Sequence, residues 1–191
     1  MNDGPNSTLA DLDDWLRAQG VSYAVIGGIA TTVRGEPRFT ADVDVVVGID
    51  LDRALQLLDS LISSPFRPLF TDVADVVKKA FILPIRHISS GIRVDMAIGM
   101  TGFERQLIAR ATEATIGGRS IPVATAEDLI LLKVLAGRPR DVDDVSRIVL
   151  RQGPSLNWNY IMETGEQLQQ AVDVDLVPQL RRFREGHDSS T

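Results

Sequence analysis

The sequence predicts an α/β fold: a small mixed sheet flanked by helices, with a C-terminal helical portion. Three observations predict it. Amphipathic helical stretches alternate with short β-branched runs through the first third of the chain. Two hairpin-like pairs of runs follow. From Thr125 onward the apolar spacing is helical.

Taken in order, Thr8–Gln19 predicts a helix. Leu9, Leu12, Trp15 and Leu16 share one face, and Gly20 supplies the stop. Ser22–Ile26 predicts a short strand. Gly27 and Gly28 break it, and Ile29–Arg34 predicts a short helix. Residues 35–38 make a turn. Val43–Ile49 is rich in Val and Ile, as suits a largely buried strand. Leu51–Ser63 predicts a helix with Leu51, Leu55, Leu58 and Ile62 on one side. Ala80–Arg86 and Ile92–Ile98 read as strands joined by a turn at 88–91, and Pro84 assigns the first to a sheet edge. Phe103–Ala111 is helical. Thr115–Pro122 reads as a hairpin with Gly117 and Gly118 at its tip.

Thr125, with Asp128 three residues on, predicts the capped start of a helix that Gly137 and Pro139 end. Asp141–Leu150, Trp158–Ala171 and Val174–Phe183 predict three more helices, and a frayed tail begins at Glu185. The expected division is a core over residues 1–124 and a helical portion packed on it over 125–191.

At 191 residues and 44% apolar content, the chain can bury a substantial core. No apolar run reaches the roughly 18 residues of a membrane span. Met1 to Asn6 shows no secretory pattern, and cysteine is absent, so a cytoplasmic protein is expected, without disulfides or thiolate metal sites. The net charge of −6 argues against general nucleic-acid binding. Basic residues are nevertheless clustered at Arg34 and Arg38, at Lys78 and Lys79, and at Arg138 and Arg140, which leaves room for a local basic rim around an anion.

The chemistry concentrates in carboxylates. Asp42 and Asp44 lie two apart at the start of a strand, so alternation puts them on one face. Like charges that close repel unless a cation lies between them. A hard divalent ion such as Mg²⁺ takes carboxylate oxygens and completes its shell with substrate phosphates. A third carboxylate from a neighbouring strand would complete a clamp for phosphoryl displacement. Asp95 fits, on the face opposite Ile92, Val94 and Met96. Gly27-Gly28, between strand and helix, lets a phosphate approach bare backbone at a helix N-terminus. His87, near a hairpin end, reads as a surface or packing residue rather than a catalyst. Ser89 and Ser90 have no matching His–Asp arrangement, which argues against a serine hydrolase. No dinucleotide-binding or P-loop glycine motif is present.

The stretch Val25-Ile-Gly-Gly-Ile-Ala, then Arg34, then Arg38-Phe-Thr-Ala-Asp-Val-Asp-Val-Val-Val, resembles the signature of the DNA-polymerase-β-like nucleotidyltransferases, and Val94-Asp95-Met96 resembles their third-acid strand. The pattern is most similar to the AbiEii-type toxin nucleotidyltransferases and their relatives. Leu131 to Val145 is similar to the family's Lys, Arg-x-Lys-Asp and Asp segment, with Arg140 where Lys is usual. The resemblance covers roughly residues 20–150. It implies an enzyme moving a nucleotidyl group from an NTP to a hydroxyl on an RNA end, a protein or a small molecule, and a place in a toxin–antitoxin system with an antitoxin partner. Asp42, Asp44 and Asp95 would hold Mg²⁺ or Mn²⁺, and Lys133 would offset charge on a phosphate. Gly27, Gly28, Arg38, Thr40, Arg138 and Asp141 would contact nucleotide. The alternative is a non-catalytic nucleotide-binding or protein-interaction module of the same fold. Three retained acids argue against that, since their clustering is unfavourable without a cation.

Overall fold

The computed structural model describes residues 4–36, 40–172 and 174–188. Its contacts divide the chain into two units, Met1–Ile29 with Phe39–Ala124 and Ala30–Arg38 with Thr125–Thr191.

The first unit runs α1 (Pro5–Ala18), β1 (Tyr23–Ile26), the first turn of α2 (Gly27–Arg34), β2 (Val43–Val47), α3 (Leu51–Ser60), β3 (Phe66–Pro68), α4 (Val73–Ala80), β4 (Ile82–His87), β5 (Arg93–Ile98), α5 (Gly102–Arg110), β6 (Thr112–Ile116) and β7 (Arg119–Val123). The strands form one seven-stranded mixed sheet in the order β3-β4-β5-β2-β1-β7-β6. β2 lies parallel to β5 and antiparallel to β1, and β1 is parallel to β7. Alternation sets the core. Val43, Val45 and Val47 of β2, Val94, Met96 and Ile98 of β5, and Leu83 and Ile85 of β4 are all buried. Leu9, Leu12 and Leu16 of α1, Leu57 of α3, Val77 of α4 and Leu107 of α5 are buried as well. α1 packs against β2, α4 against β4, and α5 against β1 and β2. Gly117 and Gly118 both adopt positive φ, 57° and 80°, as a two-residue hairpin turn between β6 and β7 requires.

Four expectations are corrected. Pro84 does not mark a sheet edge, because β4 pairs with β3 on one side and β5 on the other. The Pro84 carbonyl accepts from the Leu69 backbone N–H at 3.1 Å. In a strand the nitrogen points the same way as the carbonyl, so the missing donor faces the region just past the end of β3, where no ladder bond is lost. β3 and α4 were not anticipated. β3 has only three residues, too few for a pattern, whereas Val73, Val76, Val77 and Ala80 of α4 do stand at helical spacing along the chain. Gly27 and Gly28 do more than break β1, since they form the first turn of α2. The tail is helical through Asp188, and residues 189–191 lie outside the described residues.

The second unit holds the rest of α2 with α6 (Ala126–Ala136), α7 (Pro139–Gln152), α8 (Trp158–Val172) and α9 (Val177–Asp188). Thr125 caps α6 as expected: its hydroxyl accepts from Asp128 N–H and donates to the Asp128 carboxylate. Pro139 opens α7 at its first turn, where a missing N–H is harmless, rather than only ending α6. α6 packs against both α7 and α8, so it is buried nearly all round. Among the described residues no helix is long and apolar enough to cross a membrane.

Candidate active site

β2 and β5 pair in parallel register with Asp44 directly opposite Asp95. Directly paired residues project to the same face, so these two carboxylates are cross-strand neighbours on the face away from Val43, Val45, Val94 and Met96. Asp42 lies two residues ahead of Asp44 and shares that face. It is exposed, whereas Asp44 and Asp95 are partly buried. The Thr40 hydroxyl donates to the Asp42 carbonyl at 3.2 Å, which ties the approach to β2 into a turn. Arg38 lies outside the described residues.

Asp44 also pairs with Ile26, the last residue of β1, so its carboxylate lies at the junction of β1 and α2. Gly27 makes this junction possible in two ways. Its φ is +63°, a conformation that disfavours a side chain. An added Cβ would sit 2.6 Å from Asp44 Cγ. Bare backbone at the start of α2 therefore lies against the carboxylate, where the helix dipole favours negative charge.

A residue that sequence reasoning passed over completes the cluster. Arg93 Nε donates to Asp95 Oδ1 at 2.8 Å. That hydrogen bond raises the Arg93 pKa above its ordinary value against the opposing effect of burial, and the charges of Asp95, Asp42 and Asp44 raise it further. One guanidinium thus feels all three acids and stands in for the cation such a cluster calls for. The signal was available, since Arg93 is two before Asp95 on an alternating strand. Among the described residues no group of three or more Asp, Glu or His side chains forms a ready metal cage. Mg²⁺ does not need one, because it binds through one or two carboxylates with water and phosphates as the remaining ligands. The donor chemistry and the register fit that ion.

Lys133, Arg138, Asp141 and Asp144 form a cluster within the second unit. Lys133 is only 6% exposed. Its Nζ contacts Asp141 Oδ1 at 3.1 Å and also the Asp144 carboxylate. Arg138 Nε donates to Asp141 Oδ2 at 2.7 Å. Burial works to raise the Asp141 pKa, but the hydrogen bonds and charges of Arg138 and Lys133 outweigh it and hold the carboxyl below its ordinary value.

The expectation that Ser89 and Ser90 lack a His–Asp arrangement is also corrected. The His87 ring is buried, with Nε2 2.8 Å from Asp11 Oδ2 and Nδ1 2.8 Å from Ser90 Oγ. Nδ1 is also 3.0 Å from the Thr8 hydroxyl, which itself meets Ser90 Oγ at 2.7 Å. Ser90 Oγ accepts from Ile92 N–H, and the ring packs on Phe66. The serine is thereby held inside a network that fastens α1 to the β4–β5 turn. Of the two roles expected for His87, surface or packing, the structure shows the buried one, and the network joins residues up to 82 positions apart, which no local pattern reveals.

A family model described as "Nucleotidyltransferase of unknown function (DUF6036)" matches residues 8–175. Among solved structures the chain is similar to an antigenic nucleotidyltransferase-like protein from Paracoccidioides brasiliensis, with 20% identity over 94% of this chain and 93% of that one and a TM-score of 0.52. It is also similar to the antibiotic-resistance factor ANT(2″)-Ia, with 12% identity over 91% and 97% and a TM-score of 0.61. A third is the lincosamide antibiotic adenylyltransferase LnuA, with 13% identity over 74% and 94% and a TM-score of 0.51. At these identities the likeness is one of fold. No curated protein matches the chain.

Proposed function

The chain belongs to the nucleotidyltransferase family DUF6036, and we propose that it transfers a nucleotidyl group from an NTP to an acceptor hydroxyl on the face carrying Asp42, Asp44 and Asp95. The observation that carries this reading is the register of β2 on β5, which makes Asp44 and Asp95 direct neighbours. Asp42, Asp44 and Asp95 would hold Mg²⁺ or Mn²⁺, which when bound would supply neutralisation of the charge that develops during transfer. Asp44, braced against Gly27, holds its carboxylate where the first turn of α2 exposes backbone to the triphosphate. Thr40, whose hydroxyl holds the turn ahead of Asp42, flanks the same approach. Asp95 is the carboxylate suited to accept the proton of the attacking hydroxyl as the hydroxyl oxygen bonds to the α-phosphorus and the bond to the β-phosphate breaks, releasing pyrophosphate. For that role its oxygen must leave Arg93.

Lys133, with Arg138 and Asp141, is assigned to the ionic cluster of the second unit rather than to a phosphate, because both of its carboxylate partners are buried. The AbiEii-type resemblance supports a role in a toxin–antitoxin pair, with an antitoxin as binding partner. A second reading has one observation in its favour. If Arg93 is the permanent counter-ion of Asp95, the site binds nucleotide without turning it over.

The test incubates the protein with each α-³²P-labelled NTP, Mg²⁺ and three acceptor pools: total RNA, protein and small hydroxyl compounds. Label should pass to one pool, and Asp42→Asn or Asp44→Asn should abolish it while the circular dichroism spectrum stays native. Nucleotide binding without transfer to any pool selects the non-catalytic reading.

A further inference from the structure

On the open face of the sheet, β3 pairs Arg67 with Arg86 of β4, and β4 pairs Arg86 with Arg93 of β5. Three arginines therefore form one row across three adjacent strands. The row runs into the acids, because Asp42 sits beside Arg93 at the start of the β2–β5 ladder. At about 4.8 Å per strand, Arg67 lies roughly 14 Å from the β2 acids. Arg93 is neutralised by Asp95. Arg67 and Arg86 have no carboxylate partner among the described residues, and the Arg86 guanidinium donates only to the Gly91 carbonyl, at 2.6 Å. Like charges directly opposite on a sheet are destabilising. That unfavourable placement is relieved when an anion lies between them.

The same two arginines line a concavity of about 490 Å³ together with Phe70. Phe70 is 48% exposed, so its ring faces solvent beside the two arginines. A cationic wall beside an exposed ring is the chemistry that holds single-stranded nucleic acid, with phosphates on guanidinium groups and a base on the ring. A cationic aminoglycoside would meet repulsion there. We propose that this surface binds the end of a single-stranded nucleic acid, with Arg67 and Arg86 on its phosphates and Phe70 under a base, so that the terminal hydroxyl is directed along the row toward Asp95. The acidic balance of the whole chain agrees with a short footprint confined to this row. The direction of the hydroxyl rests on the reading of the active site given above, but the binding does not.

The test measures binding of a fluorescein-labelled 12-nucleotide single-stranded RNA by anisotropy, without NTP or metal, from 50 to 300 mM salt. NTP binding is measured separately in the presence of Mg²⁺. Arg67→Ala/Arg86→Ala should weaken RNA binding at least tenfold and flatten the slope of log K against log salt by about 1.4, two contacts at roughly 0.7 each. Phe70→Ala should weaken it roughly tenfold with the slope unchanged. Both variants should keep wild-type NTP affinity and a native circular dichroism spectrum. The proposal is overturned if the RNA does not bind the wild-type protein, if the double variant binds it equally well, or if AMP or tobramycin saturates the surface where RNA does not. A wild-type protein that binds the RNA but no NTP in the presence of Mg²⁺ would instead overturn the active-site reading.

Discussion

Lys133→Met separates a structural lysine from one that works on a phosphate. Methionine keeps the chain length and removes the charge. In the wild-type protein Lys133 Nζ lies 3.1 Å from Asp141 Oδ1 and touches the Asp144 carboxylate, with the three side chains only 6%, 1% and 4% exposed. At an effective dielectric constant near 20, each contact corresponds to about 5 kcal/mol of attraction before desolvation is counted. Desolvation offsets much of that, and the measured loss on removing one member of a buried pair is about 3–5 kcal/mol. Arg138 still neutralises part of Asp141, which places this variant near the lower end. For a chain of this length, 3 kcal/mol lowers the melting temperature by about 6–12 °C. Adding Asp144→Asn removes one of the two carboxylates left facing methionine and should recover part of the loss. Thermal melting by circular dichroism gives the shift, and the KM for NTP gives the functional side. A melting temperature within 2 °C of wild type together with a KM raised tenfold or more would refute the structural assignment and return Lys133 to the nucleotide.

Two further outcomes follow from the same geometry. Gly27→Ala must adopt a φ of +63° and place a methyl 2.6 Å from Asp44 Cγ. The conformation alone costs about 1–2 kcal/mol, and the displaced carboxylate should weaken Mn²⁺ binding in titration calorimetry; wild-type stability and Mn²⁺ affinity would contradict the contact. Asp141 has a folded pKa below its unfolded value, so its stabilisation is complete above the unfolded pKa, near 3.9, and is lost as pH falls through the folded value. Urea midpoints should therefore fall more steeply below about pH 4 in the wild type than in Asp141→Asn, and parallel curves would show that this carboxyl is not held.

Features set by neighbouring residues were readable along the chain. The spacing of Asp42 and Asp44 fixes their common face because strand alternation is local. The Thr125 cap and the Gly117-Gly118 turn are equally local, since each depends on a few consecutive dihedrals and one or two hydrogen bonds. Lys133 was harder. On its own helix it reads as an interruption of an apolar face, and only the packing of α7 against α6 brings Asp141 and Asp144 to its ammonium group. β3 is three residues long and acquires meaning only by pairing with β4.

The amino-acid order alone therefore determined the alternation of elements, the glycine turn before the paired acids and the local side each acid takes. It could not determine which residue of β5 stands opposite Asp44, because roughly fifty residues separate them and a slip of one position would turn Asp95 to the other face. That register is set by burying Val43, Val45, Val94 and Met96 together on the core side. The same pairing aligns Arg67, Arg86 and Arg93, so both the acid cluster and the basic row arise from how the strands pack rather than from any local pattern.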